Sequence, residues 1–223
     1  MRERSHRLIA SRWPTVGVFD DIAADEEELR VAFLLEALTN DRLQLPRRRL
    51  ELIPEGEVVS GGGGSSIVMA AFLHADEQGG RFSDHRLGAW YASLDLDTAI
   101  AETLHHNERR LRASPGVLPA VIQMRELVSD LDLLLLNVRD ATRWADLYDP
   151  DDYTRSQAFA AEHRWPFAPS GEDGLTFASV RRKGGRNVCL WRPRAVVLPV
   201  LQGGHYEYRW AEDWTREVVA LAT

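Results

Sequence analysis

Residues 184–209 read GGRNVCLWRPRAVVLPVLQGGHYEYR. Two glycine pairs, Gly184-Gly185 and Gly203-Gly204, lie beside short apolar runs, and such pairs signal hairpins because glycine enters φ > 0 turns without steric cost. Strands are predicted over 187–191, 195–201 and 205–209. Working upstream, the pattern gives strands at 120–124 and 131–137 and a polar helix over 154–163. Earlier still, residues 88–93 read as a strand, and Asp97 as the cap of a helix with apolar positions Ile100, Leu104 and Leu111. Residues 67–73 read as a strand and Gly79-Gly80 as a turn. The carboxylates Asp20, Asp21, Asp25, Glu26, Glu27 and Glu28 precede Leu29, Phe33 and Ala37, which predicts a helix over 25–39 with Asn40 as its stop. Strands that cluster without alternating regularly with helices place the fold in the α+β class.

The chain has 223 residues and a formal charge of −7, which fits one domain and gives no basic field for non-specific nucleic-acid binding. That domain divides into an N-terminal helical and strand segment (1–60), a glycine-rich loop (61–66) and a core (67–209). The tract Gly61 to Ser66 reads as a flexible loop or linker, and it lacks the Gly-Lys-Ser/Thr ending of a phosphate-binding Walker loop. Cys189 is the sole cysteine, so no internal disulfide forms and a reducing cytoplasm fits. Arg12 interrupts Leu8-Ile9-Ala10 before an export signal's apolar stretch of about 7–15 residues is reached. The run Leu133 to Leu136 is far short of the ~20 residues that cross a bilayer. No membrane association is expected.

Chemistry-bearing residues concentrate in two places. In the first, Gly79-Gly80-Arg81 is followed by Trp90-Tyr91 and by Thr98 to Thr103, which contains Glu102. Strand alternation puts Tyr91 and Ser93 on one face, and helical spacing puts Thr98, Glu102, His105 and Arg109 on a polar face away from Ile100 and Leu104. The bland reading pairs Glu102 with His106 at i+4, or with Arg81 in a structural ion pair. Glu102 and His105 have the Glu-x-x-His spacing of di-iron bundles, but no second such pair is evident and no metal is expected. The second place is Gly174 to Arg181 and then Gly184 to Trp191. Ser179 lies there without the Gly-x-Ser-x-Gly setting of a hydrolase nucleophile.

These stretches resemble the RES family, named for its Arg, Glu and Ser. The resemblance runs through Arg7-Leu8-Ile9, Ser11 to Pro14, Leu35 to Asn40, Phe72-Leu73-His74, Gly79 to Ser83, Trp90-Tyr91, Thr98 to Thr103, Ser179-Val180-Arg181 and Gly184 to Trp191. It implies a toxin of a bacterial toxin-antitoxin pair, neutralised by an Xre-type helix-turn-helix antitoxin. It also implies an ADP-ribosyltransferase-like fold with a mainly antiparallel, split β-sheet. The implied activity consumes NAD⁺ by hydrolysis or phosphorolysis, with NAD⁺ as substrate, phosphate as a co-substrate and no resident cofactor. The implied site residues are Arg81, Tyr91, Glu102 and Ser179, with Arg7 as a first-strand candidate.

Those residues suit that chemistry. Breaking the nicotinamide–ribose bond builds positive charge on the ribose, which a fixed carboxylate such as Glu102 stabilises. The planar fork of Arg81 suits bidentate binding of pyrophosphate. Tyr91 is expected against nicotinamide, and Ser179 is expected to position ribose or amide. Two rival readings remain: transfer of ADP-ribose onto a host protein, and a non-catalytic module that binds a nucleotide or a partner.

Overall fold

The computed structural model describes residues 3–12, 25–37, 44–131, 133–169 and 171–222. Among these, eight strands form one sheet: β1 Glu3–Ala10, β2 Trp90–Ser93, β3 Ala120–Leu131, β4 Leu135–Asn137, β5 Gly174–Ala178, β6 Arg186–Leu190, β7 Leu201–Trp210 and β8 Arg216–Leu221. Their order is β4-β5-β6-β2-β1-β3-β7-β8, and only the β4–β5 pair is parallel. The helices are α1 Glu26–Ala37, α2 Gln44–Glu51, α3 Ser65–Leu73, α4 Leu96–Arg112 and α5 Thr154–His163. The fold is α+β with a mainly antiparallel sheet.

The expected split is corrected to one continuous sheet with a narrow join. β1 and β2 share a single register pair, His6 with Ser93, whereas β1 and β3 stay paired from Glu3–Leu131 to Ala10–Met124. Next to the join, the Arg7 guanidinium bridges the two strands by donating from Nη1 to the Tyr91 carbonyl at 2.8 Å. β1, from the segment read as preceding the core, is thus a central strand.

Two apolar cores meet the sheet. The larger gathers Phe72, Trp90, Leu175, Val188 and Trp191, and the smaller packs Ile100, Leu104 and Leu111 of α4 around Leu8, Met124, Tyr208 and Trp210.

Residues 67–73, expected as a strand, lie in α3, which buries Val68, Met69, Phe72 and Leu73. An apolar run with no polar interruption has no period to read, and burial on several sides suits a core helix as well as a strand. The glycine tract is not a slack linker. Gly64 adopts φ +92° before α3, Val200 N donates to Gly63 O at 3.0 Å, and a Cβ on Gly64 would stand 2.8 Å from the Val200 side chain. α1 falls within the predicted 25–39, capped by Asp25 Oδ1 on Glu28 N, while Thr39 and Asn40 lie outside the described residues.

The α4 cap is Asp95, which accepts from Thr98 N at 2.9 Å, with Asp97 in the first turn. Residues 195–201 do not make a strand. Pro193 and Pro199 remove ladder donors there, and a single 3-10 turn, Pro193–Ala195, precedes β7. Gly203-Gly204 lies inside β7 rather than at a turn: the Glu126 carboxylate from β3 occupies the space a Gly203 side chain would take and accepts from Gly204 N at 2.9 Å, and the Tyr206 phenol fills the space beside Gly204. β3 extends to Leu131 and the strand expected at 131–137 shortens to β4. The hairpin at Gly184-Gly185 does form between β5 and β6, and α5 spans the predicted residues.

Candidate functional site

α4 carries Glu102 on its second turn, where the β5–β6 hairpin leans against the helix. Arg182 ties the hairpin to the helix start through Asp95 at 3.1 Å and Asp97 at 3.2 Å. Gly185 permits the approach, since a Cβ there would stand 2.5 Å from the Thr98 hydroxyl. In this setting Glu102 Oε1 accepts two hydrogen bonds, from Ser179 Oγ and from Asn187 Nδ2, each at 2.7 Å. Ser93 faces Asn187 across the β2–β6 ladder and donates to its Oδ1 at 2.7 Å, which directs the amide NH₂ to Glu102. Ser93 and Asn187 are both buried. Ser179 Oγ also accepts from the backbone N–H of Arg181 at 3.1 Å and of Arg182 at 3.0 Å. With its donor and both lone pairs engaged, this hydroxyl positions its neighbours and does not serve as a nucleophile.

Both donors fall on Oε1. Among the described residues Oε2 takes no partner and no cation forms an ion pair with Glu102, so neither bland pairing, with Arg81 or with His106, is formed.

Tyr91 points its phenol at the Gly79-Gly80 turn. Its Oη accepts from Phe82 N at 2.9 Å and bonds Ser83 Oγ at 3.0 Å, and a Cβ on Gly80 would stand 2.6 Å from it. Burial pushes the phenol well above its ordinary range. Arg81 is buried, and its Nη1 donates to the carbonyls of Leu147 at 2.9 Å and Asp149 at 2.6 Å. Its guanidinium lies 4.5 Å from the Tyr153 ring centroid, and that of Arg109, from the helix bearing Glu102, lies 5.9 Å from the same centroid. Nε and Nη2 of Arg81 take no partner among the described residues. Arg7 lies 4.8 Å from the Trp90 ring centroid, and burial draws it down to about 10, so it remains a cation at neutral pH.

A model of the RES domain matches residues 59–211. The chain belongs to the RES domain family. A second likeness is to "Uncharacterized protein y4oC" of Sinorhizobium fredii (strain NBRC 101917 / NGR234), 26% identical over 215 residues that cover 94% of this chain and 84% of that protein.

The RES domain match contains Arg81, Tyr91, Glu102 and Ser179 and leaves Arg7 outside, although Arg7 hydrogen-bonds Tyr91. Within the RES domain, Glu102 and Ser179 touch directly, and Arg81 reaches Tyr91 through the Phe82 N–H. Arg81 and Glu102 make no direct contact among the described residues; both are connected indirectly, through the Tyr153 ring shared by Arg81 and Arg109 and through the 147–153 loop, Arg181 and Ser179. Sequence reasoning missed Asn187 and Ser93 as partners of this site. An asparagine heading an apolar strand run was the available signal, since a buried amide needs hydrogen-bond partners. It also missed the 147–153 loop, held by Arg81 and by Arg181, which donates from Nη2 to Pro150 O. Two surface concavities, one around Glu57, Asp173 and Arg192 and one around Asn137, Arg143 and Trp144, contain none of the expected residues.

Proposed function

We propose that this chain is a cytoplasmic toxin that cleaves the nicotinamide–ribose bond of NAD⁺, with water or inorganic phosphate as acceptor, and that a helix-turn-helix antitoxin neutralises it. The observation that carries this reading is Glu102. A carboxylate fixed through one oxygen by neutral donors and, among the described residues, paired with no cation is available to a cation that forms during reaction. When the bond to C1 of the ribose breaks, the electron pair passes to the nicotinamide nitrogen and positive charge spreads over C1 and the ring oxygen. In this reading Oε2, which takes no donor among the described residues, meets that charge or a ribose hydroxyl beside it.

The other residues bind and orient. Arg81 anchors the 147–153 loop through Nη1 and offers Nε and Nη2 to the pyrophosphate. Tyr91 presents a half-buried ring for the nicotinamide, and Ser179 and Asn187 hold Glu102 in place. Membership of the RES family supports a toxin that acts on NAD⁺.

Incubating the purified protein with labelled NAD⁺, with and without phosphate, tests the proposal. Released nicotinamide with free ADP-ribose means hydrolysis, and ADP-ribose 1″-phosphate means phosphorolysis. Label on protein would move the assignment to ADP-ribose transfer, and NAD⁺ that binds but never turns over would make the site a binding module.

A further inference from the structure

We propose that His105 takes the proton from the attacking water at this site and so makes hydrolysis, as distinct from transfer to an anionic acceptor, efficient. The inference rests on the reading that the site cleaves the nicotinamide–ribose bond. His105 is three residues beyond Glu102 on α4, a spacing that puts two side chains on one helix face with Cβ atoms about 5–6 Å apart. Its Nε2 is closed off from bulk solvent, yet has no hydrogen-bond partner among the described residues. Buried ring nitrogens are ordinarily satisfied, so an orphan beside a candidate catalytic carboxylate points to a partner supplied by the reaction.

The charged surroundings fit a proton acceptor. Glu102 and Arg109 face His105 from its own helix, Arg181 from the turn after β5 and Asp151 from the 147–153 loop, while the His106 ring lies edge-on at 5.5 Å. Burial first, then Arg181, draws the imidazole below its ordinary range against the pull of Asp151 and Glu102, and Arg109 adds to the lowering. The ring is therefore neutral at neutral pH and has a lone pair to offer. Arg181 fixes the loop over it, by donating to Pro150 O and approaching Asp151 at 3.9 Å.

The balance of the reaction assigns the role. Water oxygen bonds to C1 of the ribose, the C–N bond breaks with its electron pair going to nicotinamide, and the water must shed one proton to yield neutral ADP-ribose hydroxyl. Nε2, closed off in the resting protein, receives that proton once bound substrate brings the water to it, and the ring releases it to solvent as the product leaves. Phosphate dianion or azide attacks with a pair already free and sheds none, so a base speeds hydrolysis selectively.

The test compares wild type with His105→Gln, following nicotinamide release and product identity in buffer, in phosphate and in azide. Expected is a fall in ADP-ribose formation of about a hundredfold, the lower range for loss of a general base, with azide restoring nicotinamide release. Wild-type hydrolysis should hold through the ordinary histidine range and decline only at lower pH, because the folded imidazole is drawn down, and the residual hydrolysis of the variant should not follow that profile. A variant that hydrolyses at the wild-type rate, or one that azide fails to restore, overturns the role of His105 alone. A wild type that releases no nicotinamide overturns the underlying reading as well.

Discussion

Glu102 is gripped from one side, and that asymmetry makes its two oxygens unequal. Ser179 and Asn187 spend their hydrogen bonds on Oε1, so replacing either should let the carboxylate swing without removing its charge. Asn187→Ala is expected to lower kcat by about 10²-fold, the cost of losing one preorganised donor, with KM for NAD⁺ little changed. Glu102→Gln keeps the shape and removes the charge, so turnover should vanish in a nicotinamide-release assay while NAD⁺ binding by calorimetry is largely retained. Arg81→Ala should weaken binding as well, since it removes the phosphate fork and frees the 147–153 loop. At this scale residue type alone left Glu102 and Ser179 with bland readings, and it was the resemblance to the RES family that named Arg81, Tyr91, Glu102 and Ser179. Asn187 was not named, because its importance comes from facing Ser93 across a ladder, and register between distant strands leaves no local pattern.

α4 shows how one helix serves two surroundings. Ile100, Leu104 and Leu111 enter the smaller core, while Glu102 and His105 belong to the site and His106 is largely buried beside them. Burial, reinforced by His105, Arg109, Arg181 and Arg110, depresses His106 to about 4 from 6.5. A histidine whose folded pKa lies below its unfolded one adds no penalty above about 6.5, where both states are neutral. As pH falls from about 6.5 to about 4, the unfolded chain takes the proton first and stability drops, on the order of 3 kcal/mol from this group. Urea denaturation at pH 7 and pH 5 should show about 2 kcal/mol of that loss, since only part of the window is crossed, and His106→Leu should reduce it. Between α3 and β2 the contact is closer still: a Cβ on Gly88 would collide with the Ala71 carbonyl oxygen. Gly88→Ala is expected to cost about 1–3 kcal/mol, read as a drop in Tm of several degrees. Elements with a clear period, α4 and α5, were legible in the sequence. α3 was not, since apolar residues on every side erase the difference between a core helix and a strand.

For the molecule as a whole, the α+β class was legible and the strand order was not. Turn signals and apolar runs count strands, but nothing local says that the first strand belongs in the middle of the sheet. β1 is paired along its length with β3, and Leu8 belongs to the smaller core. Removing residues 1–12 is therefore expected to abolish cooperative unfolding, measured by circular dichroism on heating, even though the family match begins at residue 59.

The same placement sets a clock on synthesis. Ser5 leaves the ribosome early, but its partner Ser129 lies 124 residues later, a delay of roughly 6–25 seconds at translation speeds of about 5–20 residues per second. Asn187 follows later again, so Glu102 has no complete grip until most of the nascent chain is out. The nascent chain thus carries Glu102 without its partners for most of its manufacture, and the site closes only as the last third of the sequence emerges.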